Sequence, residues 1–250
     1  MIRLVARQRE LVELNHETAQ AKQTPRLARR RLRLHRFSAV HLLIALVLFF
    51  SFAPFIEEIK SGDLIVSFLL SLVLLSAVLA VANKRRTLLI AILLATPTLA
   101  ARWASHFRPD LVPPRVFLIG GLLVFIFVVA HLLRFVLRAP SVTTDVLCAS
   151  ISAYMLLGLI WMLAYWLVDR LTPGGAFSFN TNVEPKSING FNGFYFSFIT
   201  LSTVGYGDIT PVSRIARWLA AMEAITGLFY VAVLIARLVS LYSTSKSHDS

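Results

Sequence analysis

Apolar and polar residues are distributed along the chain in long blocks, not in the short periods of a soluble fold. Four predominantly apolar runs, at about residues 38 to 56, 64 to 83, 87 to 105 and 116 to 137, are separated by short polar or basic breaks. A fifth covers about residues 144 to 168 and a sixth about residues 212 to 242. Each is near or above the ~20 residues that a helix needs to cross a bilayer, so the pattern predicts an all-α membrane protein with six spans. Pro97 interrupts the third run and Arg102 charges its far end. Proline is tolerated in such helices, and Arg102 is expected to snorkel to the interface beside Trp103. The fifth run starts after Ser141 and Thr143 and ends with Trp161, Tyr165 and Trp166, an aromatic set suited to an interface. Between the fifth and sixth runs, Leu171 to Gly190 is rich in proline, glycine and asparagine and reads as an exposed loop. A short apolar segment through Tyr195 to Ser202 follows, too short to span at ~1.5 Å per residue.

Composition agrees with the pattern. Hydrophobic residues make up 57% and charged residues 15% of the 250, with a mean hydropathy of +0.71, far from the balance of a soluble domain. The single cysteine, Cys148, lies in an apolar run, so an internal disulfide is excluded and no metal cluster is suggested. A formal net charge of +12 raises the question of nucleic acid, but the placement of the charges among apolar spans points to membrane orientation instead, and no nucleic-acid partner is expected.

Basic residues then set the topology. Residues 1 to 37 hold ten of the 25 Lys and Arg, and with six spans and an inward N-terminus seventeen fall on the cytoplasmic side against eight outside. That bias satisfies the positive-inside rule and puts both termini in the cytoplasm of a multi-pass cell-membrane protein. Leu4, Val5, Leu11, Val12 and Leu14 among the N-terminal charges fit an amphipathic helix able to lie on anionic lipid, or equally a solvated basic tail. The parts are a basic segment at 1–37, a four-helix transmembrane domain at 38–138, a segment at 139–243 made of the last two spans and the stretch between them, and a tail at 244–250.

The candidate chemistry sits in Thr200-Leu201-Ser202-Thr203-Val204-Gly205-Tyr206-Gly207-Asp208. A bare cation entering hydrocarbon faces a desolvation cost of tens of kcal/mol, so inward-pointing oxygens must replace its water. Backbone carbonyls stack on one side of a strand only where residues tolerate positive φ, and Gly205 and Gly207 supply that freedom. Thr203 adds a hydroxyl at the inner end, Val204 and Tyr206 are expected to turn away from the lumen, and Asp208 stands at the outer mouth, where carboxylates concentrate cations. Together with the flanking helices these residues resemble the selectivity filter of the potassium channel superfamily, bacterial six-span members in particular. The resemblance covers roughly Ile188 to Tyr242.

It implies a homotetramer of cyclic symmetry around one shared filter, with K+ coordinated through Thr203, Val204, Gly205 and Tyr206 as the permeant ion, and no cofactor and no enzymatic activity. It also implies a re-entrant pore helix capped by Asn192, and Thr210 and Pro211 as the cap and first turn of the inner helix. The chain departs from many relatives in carrying Ile199 where some have a glutamate, and Tyr195 and Phe196 where many have paired tryptophans, differences that bear on filter inactivation. Glu223, deep in the sixth run, must face protein, and its position predicts filter support with Thr200 or Ser202 as hydrogen-bond partner, a pH-sensitive gating role being the alternative. Gly227 aligns with the hinge of the inner helix in related channels and is equally a small residue for close packing. Leu228, Val231, Ile235 and Val239 recur at spacings of three and four; the stripe lines the pore in relatives, and on periodicity alone it is also ordinary bundle packing. His41 and His131 are read as structural. The fourth run lacks the regular arginines of a voltage sensor, so weak voltage dependence is expected. A poorly selective cation channel or a silent subunit is the alternative within the class. A six-span transporter is the rival outside it, but matching halves with broken helices are absent.

Overall fold

The computed structural model describes residues 39–52, 55, 62–82, 85–107, 113–180, 186–188 and 190–246. The basic segment at 1–37 and the last residues of the tail lie outside the described residues, as do residues 181–185 of the loop before the pore helix. Helices occupy all six apolar runs: α1 (Ala39–Phe52), α2 (Gly62–Ala80), α3 (Arg85–Phe107), α4 (Pro114–Arg138), α5 (Thr144–Leu171) and α7 (Arg214–Lys246), with the short α6 (Gly190–Leu201) between the last two. Four of them, α3, α4, α5 and α7, are long and apolar enough to cross a membrane, while the described parts of α1 and α2 are shorter. Large apolar side chains such as Phe68, Leu93 and Ile126 are more than half exposed, which in water would form adhesive patches and in lipid is the ordinary state of a spanning helix.

Each helix buries one face. On α1, Leu42, Ala45, Leu46 and Phe49 are buried while Ile44, Val47 and Phe52 are exposed, the three-and-four spacing of a single packing stripe. The buried positions of α3 are small, Ala91, Ala95, Thr98 and Ala101, and small residues let helices approach closely where lipid supplies no hydrophobic drive between them. Pro97 lies within α3 without ending it. The flanking hydroxyls of Thr96 and Thr98 donate back to the carbonyls of Ile92 and Leu94, at 2.7 and 2.8 Å, and Gly120 of α4 packs where a Cβ would overlap the Thr98 hydroxyl. Near the end of α3, Arg102 places its guanidinium 5.5 Å from the centroid of the Phe117 ring. Trp103 donates to Ser71 Oγ of α2 at 3.2 Å.

A five-residue connection, 139–143, joins α4 to α5, and the two helices pack along each other. Thr143 caps α5 by accepting from the Val146 N–H. The main departure from the sequence expectation lies beyond α5. Part of the loop pairs as a two-stranded antiparallel sheet, β1 (Phe177–Phe179) with β2 (Ile209–Pro211), Phe177 opposite Pro211 and Phe179 opposite Ile209. Ala176, Phe177 and Ile188 are buried, so the loop is exposed only in part. Thr210 and Pro211 therefore belong to a strand. The start of α7 is set by Ser213, whose hydroxyl accepts from the Ala216 N–H at 3.1 Å.

Candidate functional site: the filter and its frame

The short helix α6 carries the candidate filter, residues 203–208. It begins at Gly190, two residues before the expected cap, and Asn192 lies inside it with its amide donating to the Ser187 carbonyl at 3.1 Å. The helix ends at Leu201 in a Schellman arrangement: the Thr203 N–H donates to the Thr200 carbonyl at 2.9 Å and the Val204 N–H to the Ile199 carbonyl at 2.8 Å, with Thr203 left-handed at φ +60°. Glycine usually fills that position, because a β-branched side chain is strained there. Threonine keeps a hydroxyl at the inner end of the filter that glycine cannot offer. Strain at one residue is tolerated because the helix end over-determines its conformation. Thr200 thus supports the filter through its backbone carbonyl. Sequence reasoning foresaw positive φ only at the glycines, and Gly205 and Gly207 have it, at +54° and +80°.

The filter strand is open on one side. A Cβ at Gly205 or Gly207 would meet nothing within 4 Å, and Val204 and Tyr206 are 53% and 72% exposed in the single chain. Behind it, Tyr195 of α6 stacks on Tyr206, centroids 6.5 Å apart and planes within 5°. The Tyr195 hydroxyl also faces the carboxylate of Asp208. One aromatic residue therefore braces both the outer part of the filter and the acid that follows it.

Glu223 of α7 is fully buried. Its partners are neither Thr200 nor Ser202. Tyr165 of α5 donates its hydroxyl to Oε2, and Ser197 of α6 lies 2.6 Å from Oε1 and 2.8 Å from the Gly158 carbonyl of α5. The reason is position along the chain: Ser197 lies level with Glu223, while Thr200 and Ser202 lie a turn or more further on, and the Ser202 hydroxyl donates to the Phe198 carbonyl at 2.6 Å. Tyr165 is completely buried, so it is a core residue and not the interfacial anchor that the sequence suggested. Its ring also packs on Phe196 and Phe177, at 5.0 and 5.6 Å. Ser197 has one hydroxyl proton and two acceptors nearby; with Oε1 protonated and donating to Ser197, and Ser197 donating to Gly158, every polar atom of the clasp is satisfied.

Gly227 sits where α7 crosses the end of α6, and a Cβ there would overlap the Leu201 carbonyl. Close backbone approach therefore requires glycine, and α7 runs unbroken through it. Further along α7, Leu228, Val231, Ile235 and Val239 are 63%, 44%, 57% and 62% exposed. His131 is within 3.0 Å of the Phe127 carbonyl through Nδ1 and packs on that residue's ring. Two positioning residues escaped the sequence reading, Ser197 and Asn180, the latter described below. A serine inside a run of aromatics was the available signal for the first.

A re-entrant helix whose end feeds a glycine-bearing loop, framed by two long apolar helices, is the pore module of an ion channel. Residues 159–244, about a third of the chain, match the family model described as Ion channel. The chain is 51% identical over 45 residues to Protein LctB of Geobacillus stearothermophilus, covering 18% of this chain and 33% of that protein. It is 43% identical over 54 residues to the Voltage-gated potassium channel Kch of Escherichia coli (strain K12), 22% of this chain and 13% of the relative. To Two-pore potassium channel 4 of Arabidopsis thaliana it is 45% identical over 47 residues, 19% of this chain and 16% of the relative. The chain thus spans a third or less of the length of these curated relatives. No solved structure matches it. The segment that carries residues 200–208 is thus similar to an ion channel family and to proteins named as potassium channels.

The clasp makes a graded prediction. Glu223→Gln keeps an acceptor for Tyr165 and a donor for Ser197, so its melting temperature in detergent should stay close to that of the wild type. Glu223→Ala strands the buried Tyr165 hydroxyl, at about 1–3 kcal/mol, leaves Ser197 only its bond to Gly158, and should melt clearly lower. Equal loss in both variants would show that the carboxylate's charge matters, not its hydrogen bonds.

Proposed function

We propose that the chain is one subunit of a potassium-selective channel, four copies enclosing a pore through which K+ passes passively. The observation that carries this reading is the filter strand itself: Thr203, Gly205 and Gly207 take positive φ at the end of a re-entrant helix, and one side of the strand is bare. Carbonyl oxygens on such a strand replace the hydration shell of a cation only when other strands complete the ring. The exposed faces support the same conclusion. Ile215, Trp218, Leu228 and Phe229 of α7 are each 60% or more exposed in the single chain, as expected of an inner helix that meets its copies and lines a cavity. On this reading Leu228, Val231, Ile235 and Val239 face the conduction path, and a ring of Ile235 or Val239 closes it by dewetting. Gly227 either bends α7 or only admits α6; the packing observed favours the second. All six helices span, both termini lie in the cytoplasm, and the basic N-terminal segment meets anionic lipid.

The filter assignment predicts that in bilayers with opposed potassium and sodium gradients the current through the purified protein reverses near the potassium potential. Gly205→Ala should abolish or greatly weaken that selectivity, because a Cβ disfavours the left-handed backbone. Equal permeability of the two ions in the wild type would sink the assignment.

Assembly is tested separately. Crosslinking or native mass measurement in detergent should end at four copies, and a monomer that still conducts would exclude a shared pore.

Voltage dependence should be shallow. Between Arg115 and His131 helix α4 has no charged residue, and Arg134 and Arg138, both exposed, follow near its end. A charge gains about 2.3 kcal/mol per 100 mV only if it crosses the full field, and at ~1.5 Å per residue Arg134 lies at the edge of a ~30 Å core. Arg134→Gln should leave the conductance-voltage slope unchanged. A steep curve that flattens in this variant would make the first four helices a sensor.

A further inference from the structure

The filter strand is held differently at its two ends. The inner end hangs from the carbonyls of α6. The carbonyls of the outer end, Gly207 and Asp208, both accept from one residue on the far side of the loop. The Asn180 N–H donates to the Asp208 carbonyl at 2.7 Å, and the Asn180 side-chain amide donates to the Gly207 carbonyl at 3.2 Å. The first bond adds a rung to the β1–β2 ladder, since the preceding pair is Phe179 with Ile209. The second is not part of any ladder. It depends on the carboxamide, because a carbonyl accepts only and the amide nitrogen is the donor available to it.

Asn180 is exposed, so packing gives no reason for an asparagine there, and asparagine is poorly suited to extended backbone. Its placement is nevertheless firm. Phe177, three residues earlier, is wedged against Phe196 at 5.2 Å. The Ala176 N–H donates to Asp169 Oδ1 at 2.7 Å, and the Ala176 carbonyl accepts from Val212 at 2.9 Å. The strand that presents Asn180 is thus tied to the end of α5, to α6 and to the approach to α7.

The geometry points to Asn180 as a positioning residue that fixes the outermost peptide of the filter from the loop side. This rests on the potassium-channel reading above and adds a residue to it. Gly207, at φ +80° with no neighbour where a Cβ would be, offers its own peptide little resistance to rotation. Carbonyl oxygens that converge on one lumen repel one another unless a cation lies between them. External restraint therefore matters most when potassium is scarce, and the Asn180 amide supplies it.

The test is bilayer recording of the reconstituted full chain, comparing wild type, Asn180→Ala, Asn180→Asp and Ser178→Ala at high and low external potassium. Asn180→Asp keeps the size and the backbone bond but replaces the amide donor with an acceptor. Ser178→Ala trims the same strand opposite Thr210 and touches neither bond. At low potassium both Asn180 variants should lose current about five-fold faster than wild type, equivalent to about 1 kcal/mol at the usual 1.4 kcal/mol per decade. At high potassium the difference should shrink, the reversal potential should not move, and Ser178→Ala should behave as wild type. Asn180 variants with wild-type potassium dependence would overturn the inference, as would an equal loss in Ser178→Ala. A wild-type protein without potassium-selective current would overturn it together with the reading beneath it, and the wild-type trace alone decides that.

Discussion

On the proposed reading the carbonyls of the filter strand are reserved for ions, and a strand so used cannot be held by the ladder bonds that hold ordinary extended backbone. Every restraint on it has to come from its N–H groups, its ends or its side chains. In this chain the three N–H groups of Thr203, Val204 and Gly205 go to the last carbonyls of α6. Tyr195 presses on Tyr206 and reaches Asp208 from behind. The position of α6 consequently decides the position of the filter, and the remainder of the pore module is a mount for that short helix.

The mount uses contacts that leave little freedom. Gly158 of α5 admits the Phe198 ring where a Cβ would overlap it, Gly193 meets the Ile188 carbonyl, and Gly227 meets the Leu201 carbonyl. These are steric contacts at three different points along α6. Between them the Glu223 clasp ties α5, α6 and α7 together at one place. In a membrane interior the alternative partners for such groups are scarce, so a satisfied network specifies one arrangement strongly even when its net contribution to stability is modest.

Much of this was legible in the sequence, for identifiable reasons. Six apolar blocks give six helices because bilayer thickness fixes block length and backbone satisfaction fixes helicity. The filter residues are legible because their glycines and their neighbours form one contiguous string. What escaped was pairing between distant residues. Strands of three residues, Phe177 to Phe179 and Ile209 to Pro211, are too short to show a period, and Pro211 reads locally as a helix start. Glu223 announced that it needed partners, but only the placement of α6 along α7 chooses Ser197 over Thr200. Tyr165, flanked by Trp161 and Trp166, looked like part of an aromatic belt, and its burial follows from the clasp and from Phe177, both remote in sequence.

The first four helices are joined to this mount in a way that constrains how they could act on it. Five residues separate α4 from α5, and Leu163 of α5 packs on Gly121 of α4, where a Cβ would lie 3.0 Å away. From α1, Phe50 inserts its ring against Phe194 and Phe198 of α6, at 4.8 and 5.1 Å. At the other end of the pore module, Arg237 of α7 donates to the Ala139 carbonyl at the end of α4, at 2.9 Å. The four-helix unit therefore touches its own pore helix through an aromatic contact and its own inner helix through a charged hydrogen bond. With so short a connection, α4 has little room to slide against α5 without distorting 139–143, so any influence of this unit on conduction would travel as a shift in packing, through the α4–α5 interface and those two contacts. A large axial stroke, of the kind that moving charges would require, is what the connection resists.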